Sequence, residues 1–466
     1  MKMWSGRFRQ PLDPQFEKWQ RSFPFDQQLL RYELAASRAH AQALAAAGVL
    51  SAEERKLILA GLEQIERSSA QPEFFNDAEA EDVHHFVEKQ LVALVGEAGK
   101  KLHSGRSRNE QIATDLRLFV RESIDDLRAA LGEFLDALLA RAEESKLAAM
   151  PAYTHLQRAE PVLVAHWLLA WFEMFWRDAE RLKDCRTRTN VCPLGSGAVA
   201  GAPLALDRNL TAAQLAFDRP TANSIDATSD RDFVVEFVGV LSLLGVHLSR
   251  WAEELILFAT QEYGFIRLPQ AYSTGSSAMP QKQNPDSLEL IRGKSARLIG
   301  CHMTLLTAVK GLPLAYNKDM QETQEPLLDA AATAAGCLQV ATGFMRTVAF
   351  NYERMQAACA SGFMNALAAA TYLATRGVPF REAHEVVAHA VQKCLARHCE
   401  LQDLTLEELR EFSPSFGPDI FDQLSVQAVL ACHDVPGGTA PERVKQALKE
   451  AKERLAALRE AYVTHA

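Results

Sequence analysis

The stretch from Gly275 to Glu289 packs two hydroxyls (Ser276 and Ser277), Lys282 and Asn284 into a glycine-led loop that runs into a helix starting near Pro285. Free amide N–H groups at a helix start, joined by the Lys282 ammonium, make a site for a carboxylate or for developing negative charge. A solvent loop with ordinary capping chemistry is the plainer alternative. A second stretch, Ser104 to Gln111, sets Arg106, Arg108 and Asn109 at the start of the longest apolar-periodic run. Basic side chains there oppose the helix dipole, a conflict that a bound anion would resolve; a solvated basic turn leaves the same pattern. A third, Tyr153 to Gln157, carries Thr154 and His155 just ahead of another long run. Imidazole titrates near neutrality, so His155 is a candidate general acid or base, although a lone histidine is more often structural.

His84 and His85 follow Glu81 and Asp82. Adjacent histidines on a helix point about 100° apart and do not readily chelate one metal together. With no HExxH spacing and no Cys/His cluster, no metal is expected. Gly195 to Gly201 has spacing near a dinucleotide fingerprint, but its third glycine comes one residue late and no strand is expected before it, so a nicotinamide cofactor is not expected. The Gly-Ser-Ser triplet also lacks the GxSxG elbow of hydrolases.

The elements that must position these residues are helical. From Ser107 to Leu147 apolar residues recur at three and four spacing (Ile112, Leu116, Phe119, Val120, Ile124, Leu127, Leu131) with no proline, which predicts a helix of roughly forty residues. Comparable runs cover 161–189, 229–262, 285–309 and 325–350. Five such helices point to a long bundle. Asp26 is placed to cap a run ending at Gly48, Ser51 with Glu54 has capping-box spacing, and Pro285 and Pro441 sit where first-turn prolines are tolerated. The ends of the chain are richer in Pro, Gly and Asp. The expected division is therefore a small helical region 1–107, a long-helix core 108–358 holding the 275–289 loop, and a helical region 359–466.

At 466 residues and 48% apolar, the chain has enough material for about three domains, which excludes disorder. A net charge of -9 offers no overall field for nucleic acid or anionic lipid. Phe237 to Val246, about ten apolar residues, is half the length of a bilayer span and reads as a buried helix. The amino terminus has no apolar signal region, and eight scattered cysteines with no CxxC pair suit a reducing cytoplasm.

Gly275 to Pro285 resembles the signature loop of the fumarase/aspartase superfamily, whose members eliminate across a succinyl group to release fumarate. Trp4–Phe8, Lys101–Asn109, Tyr153–Arg158, Pro193–Ala198, Asp226–Asp232 and Tyr316–Gln321 are similar to the argininosuccinate lyase family within it, so that the resemblance spans nearly the whole chain. It implies an all-α, three-domain fold with a tetrameric helix core, each active site assembled from three subunits, no cofactor, and cleavage of argininosuccinate to arginine and fumarate in the cytoplasm as the last step of arginine biosynthesis. Another fumarate-releasing lyase, adenylosuccinate lyase or aspartase, or a non-catalytic crystallin-like member is the alternative. Carried over by position, Ser276, His155, Glu289, Lys282 and Asn284 form the catalytic set. Ser22, His84, Arg108, Asn109, Thr154, Tyr316 and Gln321 form the substrate-binding set. Ser276 is the candidate base and His155, paired with Glu289, the partner acid or base; which of the two takes the proton stays open. Arg106, Arg108, Lys282 and Lys318 are expected to gather around an anionic substrate. Two departures stand out: Thr323 and Gln324 replace an acid–lysine pair, and Asn365 to Ala368 replaces a Thr-Asp-Leu-Ala pattern.

Overall fold

The uninterrupted apolar spacing after Ser107 becomes one helix of 37 residues, Arg108–Glu144, in the computed structural model. The other long runs become Val164–Thr189, Asp232–Ala259, Asp286–Val309 and Gln324–Thr347. Residues 10–77 and 79–463 are described, the side chains of 461–463 excepted; the Trp4–Phe8 motif lies outside them. Among the described residues, strands occur only as four two-stranded pairs, and the fold is all-α as expected.

The chain resolves into two compact units, neither continuous in sequence. The first comprises residues 1–128, 180–244 and 296–334. In it the helices Leu30–Ala46, Ala52–Ser68 and Val83–Val95 pack together, burying Leu34, Leu44, Ile58, Leu62 and Phe86. The second comprises 129–179, 245–295 and 335–466. Its long-helix part closes on Trp251, fully buried, with Phe134 and Phe344 both edge-on to it. This is the ring geometry that aromatic quadrupoles favour. Its carboxy-terminal part has its own cluster, including Leu373, Val387, Leu401, Phe416 and Ile420.

Ser51 and Glu54 form the expected reciprocal capping box. Asp26 does not cap: its carboxylate receives the Ser22 hydroxyl at 2.6 Å and the Val83 N–H at 3.0 Å, because both donors are buried beside it. A strand pair, Ala149–Thr154 with Gln157–Leu163, precedes the Val164 helix where no strand was expected. Pro151 and Pro161 obscure its alternation. A two-residue strand, Val191–Cys192, also precedes the glycine loop 195–201, contrary to expectation. The next helix begins only at Arg208, so no helix N-terminus backs that loop.

The apolar run around Phe237 lies inside the 28-residue helix Asp232–Ala259, within the helical run expected over 229–262. This helix and the Lys318–Thr347 segment are long and apolar enough to span a bilayer by length and composition, and about half of each apolar window is buried within the protein: 50% and 56%.

Candidate active site

Six of the sequence-predicted site residues lie in the first unit, and three of them, Ser22, His84 and Arg108, are held by buried acids. Ser22 and Asp26 form one tie, as described, and burial, reinforced by nearby Asp82, pushes the Asp26 carboxyl up to about 7. His84, one residue into its helix, donates or accepts through Nε2 at 3.1 Å from Asp115. Arg108 lies 3.0 Å from Asp82 and 3.3 Å from Glu81, and Lys318 lies 3.5 Å from Glu81. Burial works against the Asp82 charge, but Arg108 and His84 outweigh it and hold the carboxyl below its usual range. At the head of the longest helix the Arg108 charge is thus paired with carboxylates from the segment before the Val83–Val95 helix. Arg106 turns inward, donating to Ser37 at 2.9 Å with Glu33 at 3.7 Å, and does not join an anion-facing cluster. Burial drives it there, since its side chain is only 5% exposed and its charge needs Glu33.

Asn109 keeps its backbone N–H on the Ser107 hydroxyl at 3.3 Å. Gln321 donates to the Gln20 carbonyl at 3.1 Å, tying the 318–323 turn to the segment carrying Ser22. Tyr316 is half-buried; burial raises its phenol against the opposing field of Arg231.

Arg231 was not singled out by sequence reasoning, although it lies inside the Asp226–Asp232 block. It is 2% exposed, its Nη1 donates to the Asp230 carbonyl at 2.7 Å, and its Nε and Nη2 have no hydrogen-bond partner among the described residues. Desolvation by burial lowers it to about 10. Among the described residues the Asp230 carboxylate beside Arg231 is held by Arg117, so the Arg231 charge has no carboxylate hydrogen-bonded to it.

The remaining predicted residues lie in the second unit on two segments. Thr154 and His155 are exposed at the tip of the strand pair, where His155 and Leu156 have φ of 54° and 59°. Two-residue hairpin turns with positive φ at both positions normally use Asn-Gly, and side chains there cost of order 1 kcal/mol each. Strain of this kind is kept where a side chain must be aimed. The Thr274–Gly275 and Gln283–Asn284 strands pair to clasp the base of the signature loop, and Asp286 reinforces the clasp by accepting from the Thr274 hydroxyl at 2.6 Å. Between them the Ser276 Oγ accepts the N–H groups of Ala278 at 3.2 Å and Met279 at 3.1 Å. Lys282 is exposed and Asn284 half-buried. Glu289, in the first turn of the following helix, lies 3.8 Å from Arg292. His155 makes no hydrogen bond or ion pair among the described residues.

Residues 6–300 match the family model for lyases, and residues 363–431 that for the argininosuccinate lyase C-terminal region. The argininosuccinate lyase of Koribacter versatilis is 59% identical over 460 residues, covering 99% of each chain. That of Acidobacterium capsulatum is 58% identical, covering 97% of this chain and 95% of its own. Among solved structures, an EDDS lyase in complex with formate aligns over 94% of this chain and 88% of its own, with 29% identity and a TM-score of 0.86. A class II fumarase from Schistosoma mansoni shares the fold at 16% identity, with a TM-score of 0.72 over 85% of this chain and 89% of its own.

Proposed function

This chain belongs to the argininosuccinate lyase family of the fumarase/aspartase superfamily, and from that premise we propose how its residues divide the work of splitting argininosuccinate into arginine and fumarate. It is a carbon–nitrogen lyase. A proton leaves the carbon beside a succinyl carboxylate, and the guanidine nitrogen then leaves the neighbouring carbon. The difficult species is the carbanion, whose charge spreads into that carboxylate.

Ser276 is the proton-abstracting base. A serine hydroxyl is too weak an acid to ionise unaided, and the observation that carries its assignment is the pair of N–H donors from Ala278 and Met279 already aimed at its Oγ. They stabilise the alkoxide more than the hydroxyl, which lowers the cost of the proton transfer. Lys282 and Asn284, on the same loop, receive the carboxylate charge that develops. Closure of residues 276–282 over the substrate would exclude water and strengthen both effects. His155 serves the leaving-group side with Glu289. Guanidine is itself a strong base, so the demand on this acid is modest.

Arg231 supplies a fixed positive charge to a substrate carboxylate, with Arg108, Asn109, Tyr316, Gln321, Ser22, His84 and Thr154 fixing the rest of the molecule. It offsets the loss of the lysine that Gln324 replaces. Thr154, His155 and the Ser276 loop are exposed in the single chain, which supports completion of each site by other protomers in a tetramer. The half-exposed apolar windows of the long helices support a bundle core shared between chains. We assign the enzyme to the cytoplasm on its scattered free cysteines. We retain the three-region division with its last boundary near 359, which the 363–431 match supports.

The assay is fumarate absorbance on purified protein given argininosuccinate beside other succinyl amines. Turnover of argininosuccinate that disappears in Ser276→Ala is expected; activity confined to another succinyl compound would overturn the assignment.

A further inference from the structure

The first unit holds a buried charge node centred on His84, and two of its members, Glu33 and Asp115, have no part in the proposed chemistry. Glu33 is 1% exposed and Asp115 0%, with His84 4% exposed between them. Their ligand-type atoms all lie within 4.8 Å of one another. Glu33 accepts from the Ser37 hydroxyl at 2.6 Å and from Gln111 Nε2 at 3.1 and 3.2 Å. Arg106 stands 3.7 Å and His84 3.6 Å from its carboxylate. Asp115 takes the closer contact with His84, 3.1 Å from Nε2 to Oδ2. Four pieces of chain therefore meet at one point: the Leu30–Ala46 helix, the start of the Val83–Val95 helix, the first turns of the Arg108–Glu144 helix, and the turn at Arg106.

Three such ligand atoms are close enough to hold a cation, so the node must be decided between a metal and a proton. A metal needs the lone pair on His84 Nε2, but that nitrogen faces Asp115 and Glu33, which a proton on it satisfies directly. A metal would also add positive charge beside the buried Arg106, which already neutralises Glu33. The groups facing His84 are Glu33, Asp26, Asp82 and Asp115 on the negative side and His103 on the positive side, with Arg106 paired to Glu33. Burial disfavours the imidazolium, yet the bond to Asp115 and the fields of Glu33 and Asp82 raise it to about 9.

We infer that Glu33 and Asp115 are positioning residues: by holding a charged His84 and anchoring Arg106 they fix the turn that carries Arg108 and Asn109, and so set how those two side chains meet the substrate. This rests on the proposed contact of Arg108 and Asn109 with substrate. It assigns Glu33 and Asp115 no contact of their own.

The test uses the full-length enzyme and the isosteric variants Asp115→Asn and Glu33→Gln. Each is expected to raise the KM for argininosuccinate tenfold or more while kcat changes less than threefold. The wild-type KM is expected to rise as pH passes about 9, and in Asp115→Asn that rise is expected to move toward neutrality. Should either variant fail to fold, the wild-type KM profile alone still decides: a KM flat from pH 7 to 10 overturns the inference. So do folded variants with wild-type KM and an unmoved profile. Stoichiometric metal in purified wild type, lost on chelation together with activity, overturns it in favour of a cation site. Asn109→Ala separates the two levels, for an unchanged KM there refutes the substrate contact itself, whereas a raised KM there with a normal one in Asp115→Asn refutes only the positioning role.

Discussion

Replacing Arg231 by methionine should move stability and activity in opposite directions. The side chain is buried, and its guanidinium is lowered to about 10 because the nearby charges do not offset its desolvation. That displacement from the usual arginine range corresponds to about 3 kcal/mol held against the charged form. Its one hydrogen bond, to the Asp230 carbonyl, returns only about 1–2 kcal/mol. Methionine of similar length removes the charge and keeps most of the apolar contact. Arg231→Met should therefore unfold at the same temperature as wild type or up to about 2 °C higher. In the complex, Nε and Nη2 would make two charge-assisted bonds to a substrate carboxylate, worth about 3–4 kcal/mol together, so kcat/KM should fall roughly 100- to 1000-fold. Calorimetry with and without fumarate, beside initial rates of fumarate release, measures both. The wild type should be stabilised by fumarate and the variant should not. A variant that melts several degrees lower while keeping near-normal kcat/KM would show that the guanidinium is a structural tie, and its proposed contact with a substrate carboxylate would fall.

Ser276→Ala should lower kcat at least 1000-fold with little change in melting temperature, since the side chain is half-buried and its bonds are local to the loop; equal activity would remove it as the base. Gln324→Lys should lower KM but also the melting temperature, because Gln324 is 2% exposed and an ammonium there is costly without substrate; an unchanged KM would mean the departure is fully compensated. If active sites are shared, mixing denatured Ser276→Ala and Asn109→Ala chains and refolding them together should restore part of the activity that neither has alone, and no recovery would argue for sites complete within one chain. His84 has a folded value raised to about 9 from 6.5, so its contribution to stability is full below pH 6.5 and disappears as pH rises through about 9. The melting temperature should fall over that window by the equivalent of up to about 3 kcal/mol, and the fall should be absent in His84→Gln.

The sequence alone determined the chemistry-bearing segments and the long helices, because both depend on local information. A run such as Ile112, Leu116, Phe119 marks one face of a helix wherever it packs, and the Ser51–Glu54 capping box needs only three residues of spacing. The short strand pair under His155 was not visible there, since Pro151 and Pro161 face each other across it and break the alternating pattern, and its two-residue turn lacks the usual Asn-Gly signal. The direction of each charge was likewise decided by the tertiary structure. Arg106 and Arg108 are two residues apart and read alike, yet one turns inward to Glu33, 73 residues earlier in the chain, and the other to Asp82. Asp26 looked like a helix cap and became an acceptor for Val83. Arg231 looked like one charge among several in a polar block; only folding desolvated it and left its nitrogens idle. The energy of a charge depends on the dielectric around it and on what lies within a few ångströms, and distant segments supply both.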